Sequence, residues 1–126
     1  MYLHLIWGTL DGNPWITSKI ERSVFRCICS QIQKPDCETL AINGIPDHIH
    51  LVVKIKTTVT VAQLVKQAKG VSSKFINEHL EIKEKFQWHA GYRAFTVSRW
   101  DLPMIINYVK NQKKHHNEGI IKCDLE

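Results

Sequence analysis

The sequence predicts an α+β fold: a ferredoxin-like βαββαβ antiparallel sheet with an appended C-terminal helix that carries Tyr108. Three observations predict it. Segments of strand character and of helical period alternate as strand, helix, strand, strand, helix, strand, helix. Each helical segment opens on a hydroxyl residue followed three positions later by a side chain able to bond back. The two consecutive strands are joined by Gly44-Ile45-Pro46-Asp47, which is turn chemistry. That order builds a split βαβ arrangement with helices against one sheet.

Residues 2–9 are apolar enough for a buried first strand. Ser18-x-x-Glu21 starts the first helix, where Ile20, Val24 and Ile28 recur at helical spacing. Residues 38–43 and 48–55 form a hairpin around the Gly44–Asp47 turn. Thr60-x-x-Gln63 opens the second helix, with Leu64, Val65 and Ala68 on one face. Residues 94–97 make the last strand. Ser98-x-x-Asp101 opens the third helix, whose apolar stripe runs through Leu102, Ile105, Ile106 and Val109.

Length and composition narrow the class. A chain of 126 residues with 44% apolar residues can build one core. No apolar run approaches the roughly 18 residues of a membrane span. The start Met1-Tyr2-Leu3-His4-Leu5 has no signal-peptide pattern, so the expected address is the cytoplasm, with no membrane partner. The net charge of +5 favours a polyanionic partner. Cys27, Cys29, Cys37 and Cys123 form no C-x-x-C pair, which reads as reduced thiols partly in the core rather than a zinc site.

Two constellations carry chemistry. In Asp47-His48-Ile49-His50, the period of two along a strand puts His48 and His50 on one face. Two imidazoles about 7 Å apart can converge on one metal ion. Alone, such a pair also fits two hydrogen-bonded histidines on a half-exposed sheet. The second constellation is Tyr108 with Gln112, four residues apart and flanking the stripe of the third helix. Alone, Tyr108 also fits a boundary residue whose hydroxyl meets water.

Together they make a different case. A phenol, with an ordinary pKa near 10, is a weak nucleophile unless helped. A divalent cation beside a phosphate polarises the phosphoryl oxygens and aligns the bond to be broken. His48, His50 and the Gln112 oxygen would be three neutral ligands that leave the ion's charge intact. Without a carboxylate, magnesium should bind weakly, and manganese should support activity well.

The ordered segments DHIHLVVKI, LVKQAKGVSSKFIN, FQWHAGYRAFTVSRW and YVKNQKKHH resemble the single-tyrosine, histidine–hydrophobic–histidine transposases of the insertion-sequence 200/605 kind and their REP-associated relatives. The resemblance covers essentially the whole chain and implies one catalytic domain over residues 1–126. It implies that His48, His50 and Gln112 hold Mg²⁺ or Mn²⁺ and that Tyr108 is the nucleophile. It further implies single-stranded DNA with hairpin ends, a 5′-phosphotyrosine intermediate, and a homodimer in which one protomer's tyrosine can serve its partner's histidines.

Lys66, Lys69 and Lys74 punctuate the second helix around Gly70-Val71-Ser72-Ser73, and the resemblance turns this region toward DNA. Arg93 is a further candidate for phosphate contacts; Lys110, Lys113 and Lys114 suit that role or, equally, a helix C-terminus. Trp88 and Phe95 read as core or boundary residues. Tyr92, after Gly91 and with no glutamine a helical turn away, is a rival nucleophile. His115 and His116 suit a solvated helix end, with a proton shuttle as the sharper alternative. Two other readings stay open: a non-catalytic module binding single strands through exposed aromatics, and a domesticated relative that processes hairpins for its host.

Overall fold

A computed structural model of the chain describes residues 1–82 and 84–113. The elements run β1 (Tyr2–Gly8), α1 (Glu21–Gln33), β2 (Glu38–Ile45), β3 (His48–Lys54), α2 (Val61–His79), β4 (Arg93–Val97) and α3 (Leu102–Lys110), with a short 3₁₀ turn at Leu10–Gly12. The four strands form one sheet in the order β2-β3-β1-β4. Every neighbouring pair is antiparallel. This is the predicted ferredoxin-like order. No helix among the described residues is long and apolar enough to cross a membrane.

The two faces of the sheet are used differently, because successive side chains on a strand point to opposite sides. Leu3, Leu5 and Trp7 from β1 and Ile49, Leu51 and Val53 from β3 join Val24, Ile28, Leu64, Ala68 and Ile76 of α1 and α2 in the main core. On the other face a smaller cluster forms from Ala41, Val52 and Val109, with Leu102, Ile105 and Ile106 packed against it. The predicted stripe of α3 is therefore its sheet-facing side. A register shift between Thr39 and Ala41 in β2 supplies an extra residue there, and Leu40 packs against this second cluster too.

The second helix start behaves as the sequence predicts: Gln63 N–H donates to the N-cap Thr60 Oγ1 at 3.2 Å. Asp101 N–H donates to Ser98 Oγ at 3.1 Å, but that bond closes a turn ahead of α3, which begins at Leu102 behind Asp101 with no side-chain cap. The first start differs as well. The backbone turns at Thr17, whose carbonyl accepts from both Ile20 and Glu21. Helix α1 then begins at Glu21 with no side-chain cap. A backbone turn has taken the place the Ser18 hydroxyl was expected to fill.

The hairpin is tighter than the sequence suggested. Gly44 and Ile45 remain in β2, opposite Ile49 and His48, so Pro46 and Asp47 alone make the turn. This closeness explains Gly44: a Cβ there would collide with the His48 carbonyl oxygen. Gly44→Ala is expected to cost about 2 kcal/mol by forcing the hairpin apart, seen as a lower urea midpoint. An unchanged midpoint would show that the hairpin absorbs the methyl.

Candidate active site

His48 and His50 project from the same face of β3, with ring centroids 5.1 Å apart. They sit closer than strand spacing alone would put them, so the rings lean together. Each has a partner at Nδ1. His48 Nδ1 lies 2.7 Å from Asp47 Oδ1. Asp47 is itself pinned, since its carbonyl accepts from Thr9 N–H and, at 3.2 Å, from the Thr9 hydroxyl. His50 Nδ1 lies 2.9 Å from Nε2 of His4, which comes from β1. With Nδ1 engaged in both rings, Nε2 is the nitrogen through which each would bind a metal. A ligating histidine ordinarily has its other ring nitrogen held by such a partner.

Tyr108 completes the group. Its ring stands edge-on to His50 at 6.1 Å and to His4 at 6.4 Å between centroids. Helix α3 brings it there by packing on β2 and β3, and the helix is tied down at its far end. Asn43, buried and paired with His50 across the strands, donates to the Lys110 carbonyl at 3.0 Å. Tyr108 thus stands beside the histidine pair of its own chain. It is 40% exposed while His50 is 6% exposed, so the hydroxyl-bearing ring is open to a large substrate and the imidazole is not.

An open cleft of about 820 Å³ runs past these residues, lined among others by His48, His50, Tyr108, Tyr92, Arg93 and Phe95. Arg93, a predicted phosphate contact, is thus at the site, and so is the rival Tyr92. Phe95 departs from the expectation of a core or boundary residue: it is 49% exposed. It shares the histidine face, but β4 is the edge strand, and α3 covers β2 and β3 instead. Trp88 is core as predicted, and its indole N–H donates to buried Ser72. Ser72 thus turns inward, away from the open surface its small-residue context suggested.

The lysines divide. Lys66, Lys74 and Lys110 are exposed. Lys69 donates to the carbonyls of His89 (2.6 Å) and Gly91 (3.0 Å), tying the cleft-lining loop to α2. Burial pulls its ammonium below the usual lysine range, against two carbonyl acceptors that favour the charged form. Lys113 is no surface cation either. It forms an ion pair with buried Glu21 at 2.8 Å and donates to Asn43 Oδ1 and the Gly44 carbonyl. Lys114, His115, His116 and Cys123 lie outside the described residues. Of the other cysteines, Cys37 is buried and Cys27 and Cys29 half-buried, all as thiols; burial pushes Cys29 up to about 11.

Gln112 was expected one turn beyond Tyr108 on a continuous helix. Instead α3 ends at Lys110, and Asn111 leaves helical geometry at φ −100°, ψ 18°. Gln112 follows that break, fully buried, and neither its Oε1 nor its Nε2 has a hydrogen-bond partner. A buried amide in that state needs an explanation, and a bound cation at the oxygen is one that suits it. Two imidazoles held at Nδ1 suit a divalent ion with open positions, while the orphaned Gln112 amide is an oxygen donor that does not line the cleft beside them. No cluster of three His, Cys, Asp or Glu among the described residues forms a closed cage.

His4 and Asp47 were not singled out as site residues from the sequence. Asp47 directly precedes the pair, a signal that was there to read. His4 interrupts the apolar alternation Leu3, Leu5, Trp7, which flags it as facing the other way. Only the register of β1 on β3 brings it to His50.

A four-stranded sheet presenting a histidine pair, with a tyrosine from a following helix beside it, has the fold of a tyrosine transposase. It matches the structure of a REP-associated tyrosine transposase bound to a REP hairpin, with a TM-score of 0.71 at 9% identity, covering 91% of this chain and 67% of that one. It also matches the crystal structure of a Deinococcus radiodurans R1 chain described as a transposase, with a TM-score of 0.68 at 22% identity over 89% of this chain and 90% of that one. The chain belongs to the IS200-like transposase family, whose model matches residues 1–112. In sequence it is 25% identical over 117 residues to the ISDra2 transposase TnpA of Deinococcus radiodurans, covering 86% of this chain and 81% of that protein.

Proposed function

We propose that this transposase nicks and rejoins single-stranded DNA with hairpin ends, using Tyr108 as nucleophile and a divalent metal held by His48, His50 and Gln112. The observation that carries the reading is the Tyr108 ring standing 6.1 Å from the buried His50 ring at the wall of an open cleft. Tyr108 Oη attacks the phosphorus in line, the bond to the 3′ oxygen breaks, and a 5′-phosphotyrosine and a free 3′-hydroxyl result. The covalent link retains the energy of the phosphodiester, so rejoining to another end needs no ATP. When bound, Mg²⁺ or Mn²⁺ would supply positive charge at the phosphoryl oxygens. His48 and His50 hold their orientation through Asp47 and His4. Arg93, at the same cleft, suits a phosphate contact, as do the exposed Lys66, Lys74 and Lys110. Lys69 acts by shaping the 89–91 loop, with any contact to DNA secondary to that.

The REP-associated neighbour is bound to a REP hairpin, which supports hairpin DNA as the substrate class here. A homodimer belongs to the same reading. β4 lies at the sheet edge with Phe95 exposed, and a second copy would cover such a surface.

Incubating the protein with hairpin-bearing single-stranded DNA tests the reading. With Mn²⁺ we expect a covalent protein–DNA adduct that survives denaturing electrophoresis; with EDTA, none. Absence of any adduct across a broad hairpin library, with binding retained, would favour a non-catalytic binding module.

A further inference from the structure

We propose that His4 is a positioning residue for the metal site: it accepts the Nδ1–H of His50 and so fixes the tautomer in which His50 presents Nε2 to a divalent cation. The proposal rests on the metal-dependent reading above and adds a residue to it.

The geometry is specific. Ile6 lies opposite His50 and His4 opposite Val52, so His4 and His50 are diagonal neighbours on adjacent strands and share a face. His4 Nε2 meets His50 Nδ1 at 2.9 Å, and the rings are 5.1 Å apart. A neutral imidazole carries one N–H and one lone pair. If His50 is to offer a lone pair at Nε2, its hydrogen must sit on Nδ1, and the partner there must accept. His4 Nε2 is that acceptor, with its own hydrogen on Nδ1.

His4 is also held in place. It is buried, with Phe95 at 6.3 Å and Tyr108 at 6.4 Å between ring centroids. The three imidazoles of His4, His48 and His50 do not converge as a three-ligand cage, which puts His4 behind His50 rather than beside it on the ion. His48 has the same kind of support from Asp47, a carboxylate instead of an imidazole. One histidine is thus backed by a charged acceptor and the other by a neutral one. The pair is oriented while only one negative charge is added near the ion.

The test uses the full chain without DNA and reads Mn²⁺ binding by electron paramagnetic resonance, with ring tautomers from long-range ¹H–¹⁵N NMR. In the metal-free wild type, His50 is expected as the Nδ1–H form. His4→Phe keeps a buried ring but no acceptor, and should weaken Mn²⁺ binding about 10- to 100-fold. His4→Gln should stay within about threefold of wild type, because its carboxamide oxygen can accept the same hydrogen. Wild-type affinity in His4→Phe, with His48→Ala clearly weakened, would overturn the proposal and leave the metal site standing. So would an Nε2–H tautomer of His50 in the wild type, a result that needs no variant to fold. Loss in His4→Gln equal to that in His4→Phe would make His4 a direct ligand and overturn the positioning role. If wild type and His48→Ala alike fail to bind millimolar Mn²⁺, the metal-site reading itself fails and takes the proposal with it.

Discussion

Tyr108→Phe is expected to lower nicking and adduct formation by at least about three orders of magnitude, while hairpin binding stays within about twofold of wild type. The substitution removes only the phenolic oxygen. The ring that meets His50 and His4 edge-on remains, and so does the packing of α3, which relies on Leu102, Ile105, Ile106 and Val109. Binding and chemistry should therefore separate cleanly. Fluorescence anisotropy with a labelled hairpin reads the first, and denaturing electrophoresis reads the second. Undiminished nicking would reject the nucleophile. Attention would then move to Tyr92, which lines the same cleft, and Tyr92→Phe in the same assay would decide between them.

Lys113→Ala should cost about 3 kcal/mol of stability. Glu21 is buried at the first turn of α1, where the helix N-terminus gives its carboxylate some support. The nearby full charge is the Lys113 ammonium at 2.8 Å, also bonded to Asn43 Oδ1 and the Gly44 carbonyl. Deleting the ammonium leaves a carboxylate in a dry place, which is worse than having neither charge. The double variant Glu21→Gln with Lys113→Met should accordingly recover most of the loss. Urea unfolding of the two single variants and the double measures the coupling. Equal midpoints for Lys113→Ala and wild type would show that the pair is solvated or loosely held. The pair matters for function because Lys113 follows Tyr108 by five residues. It ties the end of the tyrosine-bearing segment to α1 and to the β2 end, on the same stretch where Asn43 holds Lys110. In this arrangement the tyrosine is held at its own chain's histidines.

Local chemistry was enough to read much of the site. The period of two in Asp47-His48-Ile49-His50 puts both imidazoles on one face whatever surrounds them, and the stripe through Leu102, Ile105 and Val109 leaves Tyr108 at its flank. Alternation on a strand and rotation on a helix are properties of a few consecutive residues. The end of α3 was less legible. Helical periodicity carried Gln112 onto the same face as Tyr108, but the backbone at Asn111 breaks away, where Asn43, from another part of the chain, donates to the Lys110 carbonyl and accepts from the Lys113 ammonium.

What the sequence by itself determined is the set of elements, the shared face of His48 and His50, and the placing of Tyr108 beside the apolar stripe of α3. Tertiary structure alone decided that His4 backs His50, that Phe95 stands exposed, and that Lys69 and Lys113 are engaged internally. The physical reason is range. A side chain's direction follows from its neighbours in the chain, whereas its partner depends on which strand lies alongside and in what register. His4 and His50 are 46 residues apart, and Asn43 and Lys113 are 70. No local pattern encodes such a pairing before the sheet has closed.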